Sequence, residues 1–590
     1  MTAAEIVHST QERVGLSAAQ PTVFGNQAGL FTAAGAGTAP KGFAVLFLSP
    51  WGLEEFLTRK FYRYLSEKFA EIGIASLRFD YPGTGNAIDD AEEGISAWLG
   101  TVQGAVTELK SLAGVSRVLL LGQGIGAGLA YQHAINASDI AGMALLAPVF
   151  KGRAYLRELR VWSNFVNDGL GLRPEDRVSD PGNIAGFEMP PQVVLDLKGF
   201  NLTETRISNP CSVFLARKPE GVVDEAVKEN LVEAGCIVQE TVYQDFSTLL
   251  SENSPPELPK AFAAELVTWV KSLPDLNSLA TTASKRPLVN PVSGSHFKET
   301  PVRFGENNRL IGTLCEPLGN FVGVTAVILS TSYDYQIGWA RANVQLSREL
   351  AAKGIATFRY DGAGIGDSPA VPGRRAQVLY DEKQVDDAEL AFELVKSLGL
   401  AETVVVVGRC SGAYAAFRTA LRGSHWKGCI TINPYGFYWR FVGLPKPLKE
   451  YLALAKDPSL IKRVVGGQVN LRAAATNVFY RAVDRVAERL QKILPAAPTV
   501  AQRNDIVHAE FDKLAKLGTS VTIIYSEEDI AMEAFLINFG KDSEKLNAFS
   551  NVNLQFVANS DHNLTPKPAR EKAFDIVAKQ LLALVPDRAA

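Results

Sequence analysis

The stretch VVVVGRCSG, residues 404–412, runs four valines into a turn with Cys410 at its apex. A strand that bends sharply into a helix holds one side chain in a strained, exposed position, provided the residues two before and two after it are very small. Gly408 and Gly412 meet that condition around Cys410. Ser411 does not, because the corresponding neighbours are Arg409 and Ala413. A thiol so placed becomes a nucleophile once a base takes its proton, and the amino end of the following helix favours the thiolate. A lone cysteine is equally a small hydrophobe that packs well in a core, so the chemical reading requires partners.

Those partners should follow in the order nucleophile, acid, histidine. Of six histidines, His425, His508 and His562 follow the start of the bend. His562, in NLQFVANSDHNLTP, comes just past the last apolar strand and is the candidate base. The acid should end the preceding strand, VTIIYSEEDI (521–530). Asp529 is the choice there, Glu528 the fallback, and Glu527 reads as part of a solvated turn. Asp561 reads as a turn former. His562 would take the thiol proton or hold a thiolate–imidazolium pair, with Asp529 fixing its tautomer. The backbone N–H of Ser411 would supply one oxyanion donor, and the loop after ILSTSYD the other, at Ser332 or Tyr333.

The elements that position these groups occur twice. IASLRFDYPGTGN (74–86) returns as IATFRYDGAGIGD (355–367), VLLLGQGIGAGLA (118–130) as VVVVGRCSGAYAA (404–416), and AGMALLAPV (141–149) as KGCITINPY (427–435). Repetition at this spacing is duplication of a whole domain. Each copy opens on a hairpin pattern and then alternates short strands with amphipathic helices such as FYRYLSEKFAEIG (61–73) and VQLSRELAAKG (344–354), which predicts a mostly parallel sheet flanked by helices. The boundaries read as residues 1–275 for the first domain, 276–297 for a linker rich in Pro, Ser and Gly, and 298–590 for the second domain. Helical insertions, read as lids, are expected at about 150–207 and 436–517.

The first copy lacks the machinery. Gly124 holds the apex in GQGIG, no histidine occurs between His133 and His296, and in the acid region VFLARKPEG (213–221) Glu220 is the candidate remnant. GQGIGA also fits a dinucleotide fingerprint, but the next strand ends in Ala147–Pro148, with no acid for a ribose. No cofactor and no metal are expected.

At 590 residues the chain exceeds a single core. A net charge of −3 gives no general pull toward nucleic acid. Five scattered cysteines without a C-x-x-C favour neither disulfides nor zinc and fit a reducing compartment. The first residues lack a signal-peptide pattern and no apolar run spans a bilayer, so a cytoplasmic location is expected, with at most peripheral membrane contact. Between Gly436 and Pro495 eleven Lys and Arg face four acids, and Arg481, Arg485 and Arg489 fall on one helical face. Such a lid is either a solvated face or a basic surface for an anionic group: a phosphopantetheine carrier, a lipid pyrophosphate or an acidic polysaccharide. A homo-oligomer is also open.

Both copies resemble the α/β-hydrolase superfamily. From about residue 300 onward the chain is similar to the exosortase-system-associated hydrolases found with bacterial exopolysaccharide gene clusters. FRYDGAGIGDS, VVVVGRCSGA, GGQVNLRAA, IIYSEEDIAMEAF and NSDHNLT occur in that family's order. The resemblance implies a cysteine nucleophile at Cys410, with Asp529 and His562 completing the triad. The expected chemistry is acyl hydrolysis of an ester or thioester, with acyl transfer to a sugar or lipid hydroxyl as one alternative and a non-catalytic scaffold as the other.

Overall fold

The computed structural model describes residues 19–586 apart from 39–40, 90–93, 179, 223, 251–256, 277–288, 372–379, 439–499, 528 and 541–542. Arg481, Arg485, Arg489 and Glu528 therefore lie outside the described residues.

Apolar runs rich in β-branched side chains become strands buried on both faces. All six residues of Phe43–Leu48 and the first six of Thr403–Arg409 are buried. Such strands need a helical layer on each side. Helix Leu53–Glu71 turns Phe61, Tyr62, Leu65 and Phe69 onto one face of the first sheet, and Ile95–Ala113 turns Trp98, Val102 and Leu109 onto the other.

In spatial order the first sheet is Gln20–Phe24, Gln27–Thr32, Ser76–Phe79, Phe43–Leu48, Arg117–Gln123, Ile140–Leu146, Ser212–Arg217 and Ile237–Val242. The second is Val292–Ser293, Phe297–Phe304, Leu310–Pro317, Ala356–Asp361, Val324–Ile328, Thr403–Arg409, Trp426–Ile432, Ser520–Ser526 and Val552–Val557. Each opening hairpin joins its sheet through one more antiparallel pair, and from Ser76–Phe79 and Ala356–Asp361 onward every pair is parallel. Apart from the edge strand Val292–Ser293 the two orders are the same, so the chain carries one α/β fold, a mostly parallel sheet flanked by helices, twice in tandem. That edge strand, and Phe297 after it, fall inside the stretch read as linker; the second sheet starts there.

The insertions differ from uniform helical lids. The first contains helix Gly152–Gly169, a hairpin of Asn183–Ile184 with Phe187–Glu188, and helix Pro191–Leu197. In the second, Val500–Lys516 is a helix whose Val507, Phe511 and Leu514 join the main core, so it belongs to the domain body.

The halves meet through their repeated loops. Arg78 pairs with Asp367 across the interface, and its repeat counterpart Arg359 donates back to Asn86, the counterpart of Asp367, at 3.2 Å. This exchange is the pattern of a two-fold dimer contact within one chain. Arg59 joins the knot, its Nε 3.0 Å from Asp367 and its Nη1 2.6 Å from Asp80. Nearby, Arg341 and Arg348 grip Asp89 at 2.7 and 2.8 Å. Phe56 and Phe187 pack against Trp339 with ring centroids 5.9 Å away in both cases.

Candidate active site

Strand Thr403–Arg409 delivers the chain to Cys410, whose φ of 56° and ψ of −120° are unfavourable for any side chain but glycine. Helix Ser411–Ala420 starts at once. The flanking glycines are dictated by space. A Cβ on Gly408 would run into the Gly412 carbonyl, and one on Gly412 would lie 2.7 Å from Ser330 O. The Cys410 N–H donates to Ile432 O at 2.9 Å, which pins the bend to the next strand.

His562 stands on the loop after the last strand, Val552–Val557. Its Nδ1 is 2.7 Å from Asp529 Oδ2, and the Asp529 side chain is closed off from solvent while His562 is about one-fifth exposed. Burial alone would lower the imidazole pKa; the Asp529 hydrogen bond and the Cys410 thiol outweigh it and push it up to about 9. The buried Nε2 makes no well-aligned hydrogen bond, the loose geometry common before substrate binds. The structure thus brings Cys410, His562 and Asp529 together at the carboxyl ends of the strands.

The other candidates are placed as follows. His425 sits before strand Trp426–Ile432, at the opposite end of the sheet, 3.0 Å from Glu389. His508 Nε2 meets Asn538 O at 2.9 Å within helix Val500–Lys516. Asp561 accepts from the Thr565 N–H and hydroxyl, so its carboxylate shapes the turn. Glu527 is exposed.

Ser411 heads its helix, where backbone N–H groups have no intrahelical acceptor. The Ser332 N–H donates to Ser411 Oγ at 2.7 Å, so that amide ties the loop to the bend. Ser332 has a φ of 49°, and Tyr333 follows it in the same turn.

Three residues were not singled out from the sequence. Arg409 Nη1 donates to Asn563 Oδ1 at 2.5 Å and its Nη2 to Asp334 Oδ2 at 3.3 Å, which joins the histidine loop to the loop carrying Ser332. Asn433 Nδ2 donates to Ser526 Oγ and His562 O, each at 3.0 Å. The Tyr435 ring lies 4.5 Å from the His562 ring. Position alone marks Arg409 and Asn433, which end adjacent strands beside the apex; nothing in their types does.

The first half repeats the bend without the chemistry. Gly124 has φ 56° and ψ −124°, the Cys410 conformation. A Cβ there would lie 3.0 Å from Glu54 Oε2, so a carboxyl group fills the apex. Strand register pairs Gly142 with Ser212 and its counterpart Gly428 with Ser520, and the same spacing carried past the strand ends aligns Gly221 with Asp529. Glu220 is exposed. The insertion of this half reaches the His562 loop of the other and the helix after it, with Glu188 3.6 Å from Lys567. Arg173 donates to Asn559 there at 2.8 Å.

Among the described residues no cluster of three or more His, Cys, Asp or Glu could hold a metal, and no helix is long and apolar enough to cross a membrane. No curated relative matches the chain. Three solved structures are similar to about half of it. The α/β serine hydrolase without lid XC6422 from Xanthomonas campestris has 14% identity, covers 51% of this chain and 100% of its own, with a TM-score of 0.29. The esterase Pf2001 from Pyrococcus furiosus has 14%, 49%, 94% and 0.31. A cold-adapted esterase from an Arctic intertidal metagenomic library has 11%, 49%, 98% and 0.29. The family model described as serine aminopeptidase, S33, matches residues 340–529, a span that includes Cys410 and ends on Asp529.

Proposed function

We propose that the C-terminal domain is an acyl hydrolase, a thioesterase or esterase, that works through a Cys410–His562–Asp529 triad. The observation that carries this reading is the buried Asp529–His562 hydrogen bond of 2.7 Å, beside a cysteine held at a strained apex.

Cys410 Sγ attacks the acyl carbon while His562 holds the thiol proton. The Ser411 N–H and a donor from the 332–333 loop receive the oxyanion. Collapse expels the alcohol or thiol, which takes the proton from His562, and leaves a thioester on Cys410. His562 then deprotonates water, which attacks the thioester and releases the carboxylic acid. Tyr435 screens the imidazole from solvent, and Arg409 keeps the histidine loop registered on the bend. Acyl transfer to a sugar or lipid hydroxyl is the second reading, favoured by the same thioester, which alcohols attack readily.

The test is turnover of a panel of acyl-CoA thioesters and nitrophenyl esters by the full chain. Cys410→Ala and His562→Gln should each abolish it with the circular dichroism spectrum unchanged. Undiminished turnover in both variants would overturn the reading.

A further inference from the structure

The first domain has no triad, yet it keeps a cavity where one would stand. The space measures about 240 Å³ and opens between the ends of strands Ile140–Leu146 and Ser212–Arg217. Two lining positions are counterparts of residues around His562: Val149 of Tyr435, by the repeat, and Gly221 of Asp529, by the strand register continued into the following loop. In the second domain the Asp529 carboxylate and the Tyr435 ring flank the imidazole of His562. Here the smaller Val149 and Gly221, with no histidine to come between them, leave the site open.

The cavity carries a polar side chain that the fold itself does not use. Tyr155, from helix Gly152–Gly169, is only 5% exposed, and its buried hydroxyl has no hydrogen-bond partner. Leaving a buried hydroxyl unpaired is costly, and here the donor borders a cavity that a hydrogen-bond acceptor could enter. The walls around it, Val149, Phe150 and Leu215 among them, are apolar. At the mouth, Lys151 pairs with Asp224 at 2.7 Å and Lys218 pairs with Glu158, a residue more than half exposed and free to swing aside. Counting Arg217, three cations face two carboxylates in the lining. Burial pushes the carboxyl of nearby Glu54 up, more than its bond from Gln123 lowers it.

From this we propose that the N-terminal domain is a binding module for a small carboxylate with a short apolar chain. The carboxylate accepts from the Tyr155 hydroxyl and from Lys218, and the chain lies against Val149 and Phe150. The volume falls below the roughly 300–1,000 Å³ of drug-sized pockets, which restricts the chain to a few carbons. This assignment stands whether or not Cys410 turns over any substrate.

Isothermal titration of the full chain with sodium butyrate and hexanoate tests it, with butyramide as the uncharged control. Saturable binding at one site is expected in the wild type and in Cys410→Ala, and weaker or no binding for butyramide. Tyr155→Phe should weaken binding at least ~10-fold. It should also leave thermal stability equal or higher, because it removes an unpaired hydroxyl. Val149→Trp fills the space and should abolish binding; if it does not fold, the surface exchange Lys218→Glu takes its place and should weaken binding. Butyrate binding at equal strength in Tyr155→Phe and the cavity variant would overturn the proposal. So would loss in Cys410→Ala, equal affinity for butyramide, or no saturation with either acid.

Discussion

Asp529 Oδ2 lies 2.7 Å from His562 Nδ1, and the carboxylate that makes this contact is sealed from water. A buried acid in that position fixes the imidazole tautomer, so that Nε2 faces the thiol. Asp529→Asn keeps the shape and loses the charge. Its kcat should fall ~10²–10⁴-fold with KM little changed, read from steady-state kinetics on a thioester substrate.

The raised imidazole pKa has a consequence for stability. The folded protein holds the His562 proton to about pH 9, whereas the unfolded chain releases it near the ordinary 6.5. The stabilisation is therefore fully present below 6.5 and disappears as pH rises through about 9. In chemical denaturation, the pH-dependent part of the difference between wild type and His562→Gln should be on the order of 3 kcal/mol at its largest and vanish above that window.

Asp367 works in the opposite sense. Burial would raise its carboxyl, but Arg59 and Arg78 from the other domain hold it down to about 2. Its contribution is present above the ordinary carboxylate range and lost as pH falls through about 2. Asp367→Ala leaves the Arg78 guanidinium buried without its acid, while Arg59 keeps Asp80, and should cost ~3–5 kcal/mol at neutral pH, measured by urea unfolding.

The first domain should resist repair. Gly124→Cys restores the apex residue, but Glu54 occupies its space and neither the acid nor the histidine is present. Combined with Cys410→Ala, it should show no turnover of any ester that the wild type hydrolyses.

The duplication, the parallel sheets and the sharp bend were legible because each rests on a local pattern. VVVVGRCSG carries its own strand, apex and glycines, and NSDHNLT places one histidine just after a strand. What stayed hidden depends on contacts between distant segments. Arg409 gains its role only when the loops of Asn563 and Asp334 are folded against it. The interface knot joins Arg59 and Arg78 to Asp367, 308 and 289 residues away, and nothing in either stretch announces the partner. The Ser332 amide was an expected oxyanion donor, and its bond to the Ser411 hydroxyl depends on where a loop lands. The acid position of the first domain needed the aligned strands: the only acid in VFLARKPEG is Glu220, and the register of the strands, continued into the loop, aligns Gly221 with Asp529.

Trapping the acyl-enzyme tests the central claim most directly. Full-length protein mixed with nitrophenyl butyrate, quenched in acid within the first turnover and digested, should yield a butyrylated peptide with the modification mapped by mass spectrometry to Cys410, and none from Cys410→Ala. An acyl group found on Ser411 or any other residue, or hydrolysis with the Cys410 peptide never modified, would contradict the account.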